Sequence, residues 1–260
     1  MLRAAARSVL PVGVRRALKR WLGLDRSVSS GYEILRDDVH PKLLLGWKDR
    51  RVAERQDMAF APVLRQMREG RPREDFTALA TAVRLTGATD PLIIEVGCGS
   101  AWNAEVLTKL WNRPFRYIGM DYSPAMIALA RRRDSQRPYL VGDATAVPLR
   151  DRSCDILLSG TILMHLLGYQ AAIQESRRVA RRWCIFHTVT VVTKRPTTIL
   201  RKFAYGSAVV EIVFNADEFS RLLDKNGLRL RNVLDSIPYD LHAVLGEPTV
   251  TRTYLCEVTA

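Results

Sequence analysis

Leu92-Ile-Ile-Glu-Val-Gly-Cys-Gly-Ser-Ala-Trp-Asn103 is the stretch whose reading decides the fold. A short apolar run rich in isoleucine and valine predicts a buried strand. It leads directly into Gly97 and Gly99, and a helical pattern follows. Glycines at a strand-to-helix junction let the backbone turn sharply and approach a ligand where any Cβ would intrude. Such a pair is a weak signal by itself, because dinucleotide sites share it. Glu95, two positions before the first glycine, sharpens it. A pyrophosphate seated on free helix amides would be repelled by a neighbouring carboxylate, whereas a cationic ligand without phosphate would not.

Outward from this junction the pattern repeats. Tyr117-Ile-Gly-Met-Asp-Tyr-Ser-Pro124 puts Asp121 at the end of a second strand, 24 residues after Gly97. Tyr139-Leu-Val-Gly-Asp-Ala144 puts Asp143 at the end of a third, 22 residues further on. A carboxylate in the first position can accept from two adjacent hydroxyls, and one in the second can face an amino group. Each alone could be a turn or cap residue. Three acidic positions ending consecutive strands are much harder to obtain by accident.

Short apolar runs alternate with helical stretches from Pro91 onward, the pattern of a parallel sheet with helices on both faces. Strands are predicted near 92–96, 115–120, 138–142, 154–159 and 183–191, and helices near 101–112, 124–133 and 170–180. Ser123-Pro124 is a sound helix start. Asn215-Ala-Asp-Glu218 resembles a capping box and Gly227 a stop, which predicts a helix over 216–226. Alternating segments near 228–236 and 249–258 suit a closing antiparallel hairpin at one sheet edge. Before Pro91 the chain divides into a basic amphipathic extension, residues 1–24, and a mostly helical segment, 25–90, expected to cap the open edge of the site.

The 260 residues carry a formal charge of +13, of which residues 1–24 hold +6 with no acidic residue. Further clusters, Arg131-Arg132-Arg133 and Arg177 to Arg182, read as solvated helix surface. Arginines break any signal-type apolar core in the first 24 residues, which disfavours export. The same stretch suits a peripheral membrane-surface or lid element, and it shares its composition with a mitochondrial presequence. Cys98, Cys154, Cys184 and Cys256 form no C-x-x-C pair, so no metal or disulfide is expected. No apolar run approaches the roughly 20 residues of a membrane-spanning helix.

Glu95-x-Gly97-x-Gly99, Asp121, Gly142-Asp143-Ala144 and Asp155-Ile-Leu-Leu-Ser-Gly160 resemble the ordered motifs of class I S-adenosylmethionine-dependent methyltransferases. The resemblance covers about residues 92–190. It implies a doubly wound, Rossmann-like α/β fold with a seven-stranded sheet whose last strand is antiparallel. It also implies S-adenosylmethionine as cofactor, with Glu95, Gly97 and Gly99 at the methionine portion, Asp121 at the ribose, and Asp143 with Ala144 at the adenine. Cys98, Tyr122, Met126 and Ser159 join the expected cofactor contacts. Ala101 departs from the family, which often has a third glycine there.

His165, in Ser159-Gly-Thr-Ile-Leu-Met-His165, is the candidate catalytic residue, able to position or deprotonate an acceptor hydroxyl. His187, at the end of the fifth strand, is a second rim position. The expected reaction is methyl transfer to a small or medium-sized metabolite, on oxygen by preference, in a cytoplasmic and peripherally membrane-associated enzyme. A lipid-linked or cell-envelope glycan precursor would suit the basic extension. The competing readings are an RNA methyltransferase, a nicotinamide-dependent oxidoreductase and a non-catalytic binder on the same fold. The absence of an Asn/Asp-Pro-Pro-Tyr run after the fourth strand weighs against the first of these, so nucleic acid is not an expected partner. Trp102 in the place of the third dinucleotide glycine weighs against the second.

Overall fold

The computed structural model describes residues 29–35, 43 and 45–259. The basic extension, 1–24, lies outside the described residues. Seven strands form the expected sheet: β2 (Leu92–Val96), β3 (Arg116–Asp121), β4 (Tyr139–Val141), β5 (Cys154–Gly160), β6 (Ala180–Val192), β9 (Leu228–Pro238) and β10 (Val250–Val258). Their order is β4-β3-β2-β5-β6-β10-β9. β2 pairs in parallel with both β3 and β5, and β10 runs antiparallel to β6 and to β9. The anticipated hairpin therefore closes the sheet with its last strand reversed and inserted between β6 and β9.

Residue alternation divides the core into two layers. In β5, Ile156 and Leu158 join one cluster and Leu157 the other; in β6, Trp183 and Ile185 oppose Cys184 and Phe186. Both faces of these strands are apolar because helices cover both. On the first face lie α1 (Arg50–Arg68), α2 (Glu74–Leu85) and α3 (Trp102–Val106), the last continuing as a π-helical turn, Leu107–Trp111. The helix expected over 101–112 is thus two different windings. On the other face pack α5 (Tyr169–Val179) and α6 (Ala216–Lys225), burying Ile173, Phe219 and Leu223, each worth about 1.5–3 kcal/mol of transfer free energy. Between β3 and β4 lies α4 (Pro124–Arg133), started by Ser123, whose hydroxyl accepts from the Met126 amide.

Asn215 caps α6 as expected, accepting from the Asp217 and Glu218 amides. Glu218 does not complete a capping box. Its carboxylate reaches across to the Thr197 amide and hydroxyl instead, at 3.0 and 2.6 Å.

The larger difference is a second, antiparallel unit made of β1 (Ser29–Ile34), β7 (Thr198–Ala204) and β8 (Ser207–Asn215), in the order β1-β7-β8. It joins the main sheet where Val191 and Val192 pair with Phe214 and Asn215. The segment 25–90 is therefore not helical at its start. β1 pairs with residues about 170 positions away, so nothing local in Ser29-Ser-Gly-Tyr-Glu-Ile34 announces a strand. The β7–β8 turn, Tyr205-Gly206, has both residues left-handed (φ 51° and 83°), as a tight hairpin requires.

The arginine clusters are more bonded than a solvated surface would be. Arg178 engages Glu175, Asp151 and the carbonyls of Val147 and Leu149, while Arg181 pairs with Asp155 and Arg182 with Glu257.

Candidate active site

The carboxyl ends of β2, β3, β5 and β6 open into one cavity of about 500 Å³, roofed by residues of α1, α2 and β7. Open α/β sheets place their ligand crevice at this end. Gly97, Gly99, Asp121, Tyr122, Met126, Asp143 and Ala144 all line it, so most of the expected cofactor residues converge on one wall. Asp121, at the end of β3, is 8% exposed; its two oxygens accept from the Gly99 and Ser123 amides, both at 2.9 Å. Each oxygen retains a lone pair for a further donor. Asp143 accepts from the amide and hydroxyl of Thr145 with Oδ1, and Oδ2 has no partner among the described residues. Burial pushes the Asp121 carboxyl up to about 6 against the opposing pull of its two amide donors.

Three expected contacts do not reach the cavity. Glu95 is fully buried and lies beneath Gly160, where a Cβ would come within 2.0 Å of its Oε1. Its oxygens accept from Asn103 Nδ2 at 2.7 Å and from the Tyr117 hydroxyl at 2.5 Å, so it ties β2 to α3 and β3 on either side of the glycine loop. Cys98 is buried with its thiol turned toward Gly119 of β3. Ser159 is buried in β5, and strand alternation gives the cavity position to Gly160. Ala101, the family departure, holds a left-handed conformation (φ 62°) as the N-cap of α3, its methyl 1% exposed. The methyl fits, at the strain of about 1–2 kcal/mol that an L-residue carries in that region.

Desolvation pushes the Glu95 carboxyl up to about 7, above the ordinary 4.5. A folded-state value above the unfolded one means that the folded protein binds the extra proton. The associated stability is present below pH 4.5 and is lost as pH rises through 7. Glu95→Gln is therefore expected to raise stability at pH 8 by about 1–3 kcal/mol and to flatten its decline between pH 5 and 8. Urea unfolding at several pH values measures this; an unchanged slope would show that Glu95 is ionised in the fold.

The opposite wall carries the groups that would face an acceptor. His165 lies in the cavity with its ring 4.8 Å from that of Trp47. Its Nδ1 is 2.7 Å from the Val210 carbonyl, which can only accept, so Nδ1 carries the proton and Nε2 keeps a lone pair. Burial and the nearby Lys202 ammonium lower the imidazole to about 3, and burial lowers His187 to about 4. At neutral pH this shift leaves His165 neutral, with Nε2 as a hydrogen-bond acceptor.

Several lining residues carried no sequence signal: Trp47, Gln56, Thr188, Thr190, Lys202 and Tyr239. Thr161 and Thr188 both adopt positive φ (59° and 53°) and join their hydroxyls at 2.6 Å across the ends of β5 and β6. Left-handed β-branched residues are rare, and strain of this kind gathers at ligand sites. The lysine at 202 was legible only once β7 was known to be a strand.

The cap is tied to the glycine loop. Ser100 Oγ donates to Asp57 at 2.6 Å, Arg133 bonds both Asp57 and the Ser100 carbonyl, and Phe60 stacks on Trp102 with centroids 4.1 Å apart. The Tyr122 hydroxyl accepts from the Trp47 amide.

A family profile described as a methyltransferase domain matches residues 94–186, which spans the glycine loop, both cavity carboxylates and the ends of β5 and β6. Residues 94–186 form a methyltransferase domain of the class I S-adenosylmethionine-dependent superfamily. The methyltransferase core is 32% identical over 90 residues to a malonyl-[acyl-carrier protein] O-methyltransferase of Serratia marcescens, covering 34% of each chain. It is 27% identical over 146 residues to a probable S-adenosylmethionine-dependent methyltransferase of Mycolicibacterium smegmatis, covering 55% of this chain and 53% of the relative. The matches thus span about a third to a half of these curated relatives. Among solved structures, the fold is similar to Burkholderia thailandensis 1,6-didemethyltoxoflavin-N1-methyltransferase with bound S-adenosylhomocysteine. That alignment has a TM-score of 0.58 and 10% identity, covering 88% of this chain and 95% of the other. The cavity lining is compatible with the superfamily's cofactor: Asp121 and Asp143 offer acceptor oxygens, and at Gly97 and Gly99 the space of a Cβ is taken by Ile162 and Trp102.

Proposed function

We propose that the protein transfers a methyl group from S-adenosylmethionine to an oxygen of a small or medium-sized metabolite. The observation that carries this reading is the meeting of Gly97, Gly99, Asp121 and Asp143 on one wall of a cavity whose other wall is aromatic and polar. When bound, the cofactor supplies a methyl on a positively charged sulfur, a leaving group that needs no acid. Asp121 would accept from the ribose hydroxyls, Asp143 and the Ala144 amide would meet the adenine edge, and the backbone at Gly97 and Gly99 would lie against the methionine end. Glu95 supports that loop without touching the ligand. His165 would orient the acceptor through Nε2, and the cap residues Trp47 and Phe60 would exclude water. Such alignment is the main demand of an in-line displacement. The basic stretch 1–24 supports a membrane-borne acceptor such as a lipid-linked precursor; deleting it should then reduce binding to anionic liposomes.

Calorimetry with S-adenosylmethionine, S-adenosylhomocysteine and a nicotinamide dinucleotide tests the reading. The first two are expected to bind with one-to-one stoichiometry and the third not at all. Binding of the dinucleotide alone would sink it. Steeply salt-dependent RNA binding by the loaded protein would move the acceptor to nucleic acid.

A further inference from the structure

One wall of the cavity is built by Lys202 of β7, Tyr239 just after β9, Thr190 of β6 and Thr251 of β10. Lys202 is 6% exposed, and its ammonium pairs with Glu211, a fully buried carboxylate that stands behind it and does not line the cavity. The Tyr239 hydroxyl donates to Glu211 Oε2 at 3.1 Å, and the rings of Tyr239 and Tyr32 lie 5.8 and 6.0 Å from Lys202 Nζ. An ammonium has three N–H donors, and Glu211 is the one acceptor that engages Lys202 among the described residues. Thr190 Oγ1 is closed to solvent and has no partner among the described residues. β6 and β10 set Thr190 opposite Thr251, whose hydroxyl donates to the Ile237 carbonyl two residues before Tyr239. The orphan hydroxyl and the lysine both line this cavity.

A buried donor left unmade costs about 1–3 kcal/mol, so spare donors grouped beside a cavity ask for an acceptor from outside. Of the other ionisable groups lining the cavity, Asp121 and Asp143 belong to the cofactor wall, Arg73 is bonded twice to Asp75, at 2.7 and 2.6 Å, and Lys48 stands over the Tyr122 ring; among the described residues no hydrogen bond joins His165 or His187 to Lys202. An ammonium already shared with Glu211 has little charge left to balance, so an anionic occupant would carry one negative charge and not two. A carboxylate has two oxygens for the two kinds of donor and a single charge.

We infer that Lys202 and Thr190 form an anchoring subsite for a carboxylate carried by the methyl acceptor. This rests on the methyl-transfer reading above and names its substrate class as carboxylic acids. Without a substrate role, the Lys202–Glu211–Tyr239 group would be a pillar holding the β1-β7-β8 unit against the sheet, and the two differ in what they do to ligand preference.

The test uses the full chain saturated with S-adenosylhomocysteine and calorimetric titration of matched probes: cinnamate against cinnamyl alcohol, octanoate against octanol, and phenyl phosphate. At least one acid is expected to bind 10-fold or more tightly than its alcohol, and phenyl phosphate no better than the alcohols. Lys202→Met would leave Glu211 buried and unpaired, so the principal variant combines it with Glu211→Gln, removing both charges together. That variant is expected to lose the acid preference while its affinity for S-adenosylhomocysteine stays within about twofold. Thr190→Val is expected to weaken the acid about 3- to 10-fold and leave the alcohol unchanged. Equal binding of acid and alcohol, no binding of either acid, tighter binding of the phosphate, or an acid preference that survives in the double variant would each overturn the subsite. Failure of the unaltered protein to bind S-adenosylhomocysteine would instead overturn the methyl-transfer reading beneath it.

Discussion

Gly97→Ala is expected to destabilise the protein by about 2–5 kcal/mol and to remove measurable binding of S-adenosylhomocysteine. Two separate costs add. Gly97 sits at φ +70°, where an L-residue is strained by about 1–2 kcal/mol. Its new Cβ would also come within 1.6 Å of Ile162 Cγ2, and overpacking of that kind costs about 1–3 kcal/mol. The Ile162 branch cannot step aside freely, because it packs against the core on the second face of the sheet. Adding Ile162→Ala should recover the steric part and leave the conformational part, so the double variant separates the two. Urea midpoints and calorimetry read both. A Gly97→Ala protein with unchanged stability and affinity would mean that the loop has another conformation in solution.

The second large effect belongs to Asp121. Asp121→Ala should weaken cofactor binding by about 1–3 kcal/mol, roughly 5- to 150-fold, the range for losing a charged acceptor. The wild-type affinity should also depend on pH in a defined direction. With the carboxyl pushed up to about 6, acidification through that value adds a proton to an oxygen that must accept. Affinity should therefore be constant above pH 7 and fall as pH drops through 6. Asp121→Asn should bind weakly at every pH and show no such decline. A wild-type protein equally tight at pH 5 and pH 8 would remove Asp121 from the cofactor contacts.

The sheet was legible in the sequence because its strands are local runs of apolar or alternating residues, the first three closed by markers: Gly97, Asp121, Asp143. All seven of its strands lie where alternation and turn residues put them, within a few positions. Orientation of individual side chains was less accessible. Glu95 follows the same strand-end pattern as Asp121 yet points under the loop, because a strand reverses its face at every residue and the motif does not say which face holds the ligand. The antiparallel unit was missed for another reason. Its β1 strand is short and polar, and its partner is distant in sequence. Tyr205-Gly206 did advertise a hairpin, and reading it would have exposed the alternation that sends Lys202 inward. Histidine chemistry was invisible to sequence altogether, since the shift of His165 comes from burial beneath Trp47 and from the lysine on that unrecognised strand.

Asp57 grips Ser100 and Arg133 at once, and Phe60 lies flat on Trp102 one turn along the same helix. Displacing α1 would therefore strain Ser100 and, through it, the turn whose Gly99 amide is held by Asp121. The height of the roof and the shape of the floor are set by the same few bonds.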